Sequence, residues 1–383
     1  MSFVVELSVT EKCNLGCPYC YVANRNNFMT LDTFKSVIPR IHQHMKRSRQ
    51  TDYYVSFFGG EPLLNFDLIK EASKILKNDP SCSGCGIISN LTLLDDEKFK
   101  YIKDNGIGVS WSFDGIDANT SRPLLRTFEN KDSNGEYYKN ILDMYNANKH
   151  LILSLTNGCK VMIWPGNCYS MTENFKFLLD YGINFPDFSL VRDNVWSKDD
   201  IEVFRKELHN LADFYIETVK KGTVCSIGFF RLAFLDTVFG LTKGKRPFGC
   251  FAGVNGCVVT SHGDFYPCQR FASKNVMQYN EDFDFDYHHK HFNPQNFDKC
   301  KKCNLKLVCN AGCTFSQIMN DNKPLESICQ LYHIIYHETF RITHELKNCE
   351  TFRKIVKLWF NSVGWLKKII YYVDFLIILY YNI

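Results

Sequence analysis

Cys13-Asn14-Leu15-Gly16-Cys17-Pro18-Tyr19-Cys20 places three thiols within eight residues. The stretch follows Phe3–Val9, whose apolar run reads as a first strand. A loop in that position can wrap a cubane iron–sulfur cluster, with three thiolates on three irons and a fourth iron left without a protein ligand. Such an iron can chelate a small molecule through an amine and a carboxylate, the groups that a methionine moiety offers. Tyr19, just before the last cysteine, supplies a flat face for a purine. The competing readings are a zinc knuckle or three buried thiols. Zinc prefers four ligands, and no fourth Cys or His lies nearby in sequence.

Outward from this loop, strand-like runs alternate with helix-like ones. Strands are predicted at Phe3–Val9, Tyr53–Phe58, Gly86–Ser89, Gly108–Phe113, His150–Leu155 and Phe188–Val191, with helices near Leu31–Lys46 and Asp67–Leu76. Six repeats of strand then helix predict an α/β fold, either a partial (β/α)6 barrel or an open doubly wound sheet. Both place the chemistry beyond the C-terminal ends of the strands, where the cysteine loop falls.

The texture changes near Phe248, where glycine, cysteine and aromatic residues rise and helical periodicity fades until about Gln330. The expected division is a barrel over residues 1–225, a bridge over 226–247, a small metal-stapled domain over 248–335 and a helical tail over 336–383. Ile334–Lys357 has helical patterning. Leu358–Ile383 is rich in Trp, Tyr, Ile and Leu, but its last run is short for a membrane span and contains Asp374. The tail could pack on its own protein, lie peripherally in a membrane interface, or dock a partner.

Composition narrows the class. The 383 residues are 45% hydrophobic and 22% charged, which suits a globular enzyme and excludes disorder. A net charge of +4 gives no nucleic-acid footprint. The N-terminus carries no secretory signal, so a cytoplasmic location is expected. Seventeen cysteines in a reducing compartment then point to metal before disulfides.

The C-x3-C-x2-C loop with an aromatic before its last cysteine resembles the radical S-adenosylmethionine (SAM) superfamily. Gly59-Gly60-Glu61-Pro62 is similar to that family's GGEP element, whose backbone and glutamate receive the methionine ammonium group. Ser112-Phe113-Asp114-Gly115, followed by Arg122-Pro123, resembles its S-x-D-G element and later arginine. The likeness implies Ser112 on the ribose or carboxylate end of the cofactor and Arg122 on its carboxylate, with Arg126 a competitor. Ser89-Asn90 resembles the family's TNG turn, with Leu91 in place of the glycine.

A second array comprises Cys250, Cys257 and Cys268, then Cys300, Cys303, Cys309 and Cys313, then Cys329. Eight thiols suit two four-iron clusters, and the C-x2-C pair also suits zinc. The order of spacings resembles the SPASM domain of peptide and protein maturases. That likeness assigns Cys250, Cys257, Cys268 and Cys313 to a nearer auxiliary cluster and Cys300, Cys303, Cys309 and Cys329 to a farther one. It implies three [4Fe–4S] clusters, S-adenosylmethionine, a peptide or protein substrate, and a low-potential donor such as a flavodoxin or ferredoxin.

The activity implied is cleavage of S-adenosylmethionine to a 5′-deoxyadenosyl radical, followed by oxidative modification of a ribosomally made peptide or protein. Anaerobic sulfatase maturases carry a basic aspartate after the third auxiliary cysteine, where this chain has Gln269. An amide cannot act as a general base. The departure favours a thioether or other crosslink over formylglycine formation and leaves the base unassigned, with Asp264 and Tyr266 as candidates. A non-catalytic electron-transfer or zinc-binding protein is the reading from another class. Cys82 and Cys85 form a bare C-x2-C pair, and Cys159, Cys168, Cys225 and Cys349 read as singletons.

Overall fold

A computed structural model describes residues 2–125, 140–193, 195–243, 251–279, 296–309 and 312–361. The chain forms two compact units, Met1–Cys159 with Cys250–His291, and Lys160–Gly249 with Phe292–Ile383.

The first unit is organised by its sheet. Strands β1 (Phe3–Thr10), β2 (Tyr53–Gly59), β3 (Cys82–Ser89) and β4 (Gly108–Ser112) run parallel in the order β4-β3-β2-β1. Phe3, Val5, Leu7 and Val9 are fully buried, as are Tyr53, Val55 and Phe57, so one alternating face of each strand forms core. The sheet continues on the other side of β1. There β7 (Gly256–Val259) pairs parallel with Val4–Leu7, and β8 (Phe265–Tyr266) returns antiparallel. The helix Leu31–Arg47 starts at Thr30, whose hydroxyl accepts from Thr33 N at 3.1 Å, and turns Phe34, Val37 and Ile41 inward at helical spacing.

In the second unit, β5 (Cys159–Ile163, whose first residue belongs to unit one) and β6 (Asp187–Leu190) pair in parallel. The 23-residue helix Lys198–Lys220 opens on a capping box formed by Ser197 and Asp200. The helices Gly228–Lys243, Glu326–Leu346 and Glu350–Asn361 complete this unit's apolar packing. Trp359 packs on Phe234 at 5.4 Å between ring centroids and donates from Nε1 to Ser226 Oγ at 2.7 Å. The start of the aromatic tail therefore lies against its own unit, and residues 362–383 fall outside the described residues. Among the described residues, no helix is long and apolar enough to cross a membrane.

The structure corrects three local expectations. His150–Leu155 lies in a helix, Lys149–Leu155, and the strand is the next stretch, Cys159–Ile163. An apolar run of that length satisfies either period, whereas Cys159, Val161 and Ile163 alternate cleanly between buried and half-buried neighbours. The helix expected over Ile334–Lys357 is two helices, broken at Lys347–Cys349. Helical structure also returns earlier than Gln330, in the short helices Gln269–Lys274, Asp298–Lys301 and Thr314–Ile318.

Candidate active site

Strand ends deliver the first three cysteines, and backbone bonds fix the loop that bears them. Gly16 N donates to Pro123 O at 2.8 Å and Leu125 N to Asn14 O at 2.9 Å, so Leu15 and Leu124 face each other as an isolated antiparallel bridge. Cys20 N closes a turn onto Cys17 O at 3.0 Å, and Leu15 N points at Cys13 Sγ at 3.4 Å. Beneath the loop lies a buried amide cluster. Asn14 Nδ2 donates to Thr92 Oγ1 at 2.7 Å, and Asn90 Nδ2 to Asn14 Oδ1 at 3.0 Å.

Gly59 and Gly60 serve close approach. Gly59 has φ +134°, and a Cβ there would sit 2.0 Å from Thr10 O; at Gly60 a Cβ would meet Lys12 O at 2.2 Å. Their absent side chains let Gly60 N and Glu61 N donate to Thr10 O and Lys12 O, both at 2.8 Å, which sets the chain entering the cysteine loop. Glu61 is 1% exposed and accepts from Leu63 N at 3.0 Å, Ser89 Oγ at 2.6 Å and Asn90 N at 2.8 Å. Burial nevertheless raises its carboxyl to about 7, because three donors do not offset lost hydration. A buried carboxylate so placed is stabilised by an arriving ammonium group. Leu91 adopts φ +56°, the left-handed conformation that the missing glycine would have taken freely, and its side chain is 1% exposed.

Ser112 ends β4, half-buried. Arg122 is 6% exposed, and its Nη2 meets Asp114 Oδ1 at 3.0 Å. Tyr19 O–H donates to the other oxygen of Asp114, and the Arg122 guanidinium stands 5.6 Å from the Tyr19 ring centre. Asp114, fully buried, thus ties a residue of the cysteine loop to the predicted carboxylate-binding arginine. Sequence reasoning gave it no role, since its partner Tyr19 lies 95 residues away. Arg126 and Cys250 lie outside the described residues.

These residues fit the cofactors that the cysteine loop predicts. Burial pushes the Cys13 thiol up to about 12 and Cys17 to about 11, and raises Cys20 as well; Arg122 pulls Cys17 and Cys20 back. Thiols so protonated await a soft cation to displace the proton. Arg122 Nε is a buried donor without a hydrogen-bond partner, suited to a ligand carboxylate. Among the described residues no three His, Cys, Asp or Glu side chains are grouped for a single metal ion. A cubane held by three cysteines spreads their thiolates over three separate irons, wider than the shell of one ion.

The later cysteines divide between the units. In the first, Cys257 is buried on β7 opposite Val5, and Cys268 caps the helix Gln269–Lys274. Gln269 is 6% exposed, with its Oε1 buried and without a hydrogen-bond partner. Asp264 accepts from Gln278 Nε2 at 2.9 Å, and Tyr266 O–H donates to Asn275 Oδ1 at 2.5 Å. In the second unit, burial raises the Cys300 and Cys329 thiols, and nearby thiols add to it, Cys309 and Cys303 at Cys300 and Cys309 and Cys300 at Cys329, so these residues lie within electrostatic reach of one another. Cys313 precedes the helix Thr314–Ile318 of the same unit.

Comparison with known proteins gives the family. Residues 7–160 match the Radical SAM superfamily. An uncharacterized protein of Methanocaldococcus jannaschii is 31% identical over 229 residues, covering 56% of this chain and 74% of that one. The chain belongs to the radical SAM superfamily. This radical SAM enzyme is also 24% identical over 362 residues to a cysteine-type anaerobic sulfatase-maturating enzyme of Clostridium novyi, covering 83% of this chain and 91% of the relative. Its fold matches native anSMEcpe with bound AdoMet and Cp18Cys peptide at a TM-score of 0.64 and 21% identity, over 94% of this chain and 99% of that one. The family implies S-adenosylmethionine and a [4Fe–4S] cluster.

Proposed function

We propose that this radical SAM enzyme is an oxidative maturase that forms a crosslink, such as a thioether, in a ribosomally made peptide or protein. Cys13, Cys17 and Cys20 hold the cluster, Glu61 takes the ammonium group of S-adenosylmethionine, Arg122 its carboxylate, Ser112 its ribose or carboxylate end, and Tyr19 lies along its adenine. When bound, this pair supplies the one-electron cleavage that releases a 5′-deoxyadenosyl radical. Cys300, Cys303, Cys309 and Cys329 are among the later cysteines that would hold auxiliary clusters, which would supply an acceptor for the electron left after hydrogen abstraction.

The observation that carries the crosslink is Gln269. It occupies the place where formylglycine formation calls for a base, and it is a buried amide. A radical captured by a neighbouring side chain of the same peptide needs no base at that position. Formylglycine formation is the second reading, supported by the 91% coverage of the sulfatase-maturating relative.

The test is anaerobic co-expression with candidate peptides, followed by mass spectrometry. A crosslink removes two hydrogens and leaves every heavy atom, whereas a cysteine converted to formylglycine loses sulfur and gains oxygen. The second pattern would replace the proposal. Unmodified peptides alongside steady 5′-deoxyadenosine formation would require a different substrate class.

A further inference from the structure

The four thiols gathered in the second unit have a histidine beside them. Cys329 sits in the first turn of the helix Glu326–Leu346, its N–H bonded to Leu325 O at 3.0 Å. His333 follows four residues later and therefore lies on the same helix face. Its Nε2 stands 3.4 Å from Cys303 Sγ. Leu305 N also reaches the same sulfur, at 3.4 Å. Cys303 N is bonded to Cys300 O at 3.1 Å, which holds the C-x2-C turn in register with the helix.

We propose that His333 is a positioning residue for the auxiliary cluster, donating from Nε2–H to the Cys303 thiolate and raising that cluster's reduction potential. The inference rests on the reading above, in which Cys300, Cys303, Cys309 and Cys329 hold a cluster. A free thiol can donate to a ring nitrogen. Once iron takes the sulfur the thiol proton is gone, so the bond persists only with the ring nitrogen as donor. An N–H aimed at a ligand sulfur stabilises the added negative charge of the reduced cluster more than that of the oxidised one. The bond also fixes the Cys303 sulfur from the helix that carries Cys329, so two of the four ligands share one scaffold. An electron drawn from a substrate radical is then held more firmly at this cluster than at one lacking the contact.

The experiment uses full-length protein reconstituted without oxygen, with iron counted per chain and the auxiliary cluster titrated potentiometrically by electron paramagnetic resonance. His333→Ala should shift the ratio of reduced to oxidised cluster about tenfold toward oxidised at a fixed potential, a fall of about 59 mV. His333→Gln keeps an N–H of similar reach and should recover most of that change. An unchanged midpoint in His333→Ala would overturn the proposal. So would nitrogen hyperfine coupling of the strength given by directly bound imidazole, which would make His333 an iron ligand. The cluster reading is judged separately with Cys300→Ala/Cys329→Ala, which should lose about four irons per chain. Full iron in that double variant would show that these thiols hold no cluster, whatever His333 does.

Discussion

The loop bearing Cys13, Cys17 and Cys20 and the array bearing Cys300, Cys303, Cys309 and Cys329 both gather thiols, but they restrain them by different means. The first is tied to residues 123–125 by backbone bonds and backed by the buried polar groups Asn14, Asn90, Glu61, Asp114 and Arg122. The second draws Cys300 from the short helix Asp298–Lys301 and Cys329 from the first turn of the long helix Glu326–Leu346, and its charged neighbours, Lys299 and Glu326, are 55% and 66% exposed. Buried charge is costly unless matched, so its concentration at the first site marks a place built to receive a charged ligand. The charged rim of the second site is instead open to water.

The sharpest way to break this contrast is to remove one thiol from each site. Cys17→Ser should reduce 5′-deoxyadenosine formation to background, while Cys329→Ser should retain it and lose modified peptide. Equal loss of 5′-deoxyadenosine in both would mean that the two arrays are not functionally distinct.

A smaller effect compares their ion pairs. Asp114→Ala strands the Arg122 guanidinium in the interior and should cost about 3–5 kcal/mol in denaturant unfolding of the metal-free chain. A loss below about 1 kcal/mol would show that water reaches Arg122.

Next comes pH. Glu61 titrates near 7 in the folded chain, above its ordinary carboxylate value, so the folded state holds the proton more tightly than the unfolded one. Its stabilising contribution is complete in acid below that ordinary value and is lost as pH rises through about 7, by roughly 3 kcal/mol. Unfolding of the metal-free protein at stepped pH should show this decline in the wild type, and Glu61→Gln should flatten it. Parallel curves would place the titration elsewhere. The smallest effect is Glu326→Gln, expected to change stability by less than about 1 kcal/mol because its partner Lys299 is solvated.

Much of this was legible in the sequence because cysteines at short, fixed spacings stand out from the rest of the chain. The likeness to the SPASM domain groups Cys300, Cys303, Cys309 and Cys329, and in the structure Cys309 lies within electrostatic reach of both Cys300 and Cys329, and Cys303 of Cys300. The apolar run Tyr53–Phe58 was also plain as a strand, and its burial alternates along Tyr53–Gly59 in the structure. Asp114 was not, because its work is a contact between distant segments and an aspartate before a glycine has many uses. His333 left a readable trace, a histidine four residues after a ligand cysteine on a helical pattern. The strand at Cys159–Ile163 was overshadowed by the apolar run before it.

The bridge between Leu15 and Leu124 bears on how the enzyme is assembled in a cell. A zinc finger must wait for its ion before its chain takes shape, and the ion's affinity is spent on ordering it. Here the cysteine loop is tied by backbone bonds to residues 123–125, so part of its ordering entropy, about 1–2 kcal/mol per residue, is met by the fold itself. On the reading that Cys13, Cys17 and Cys20 hold a cluster, a scaffold protein delivering a ready-made cubane would meet a loop already tied in place. The transfer then reduces to exchanging one set of sulfur ligands for another.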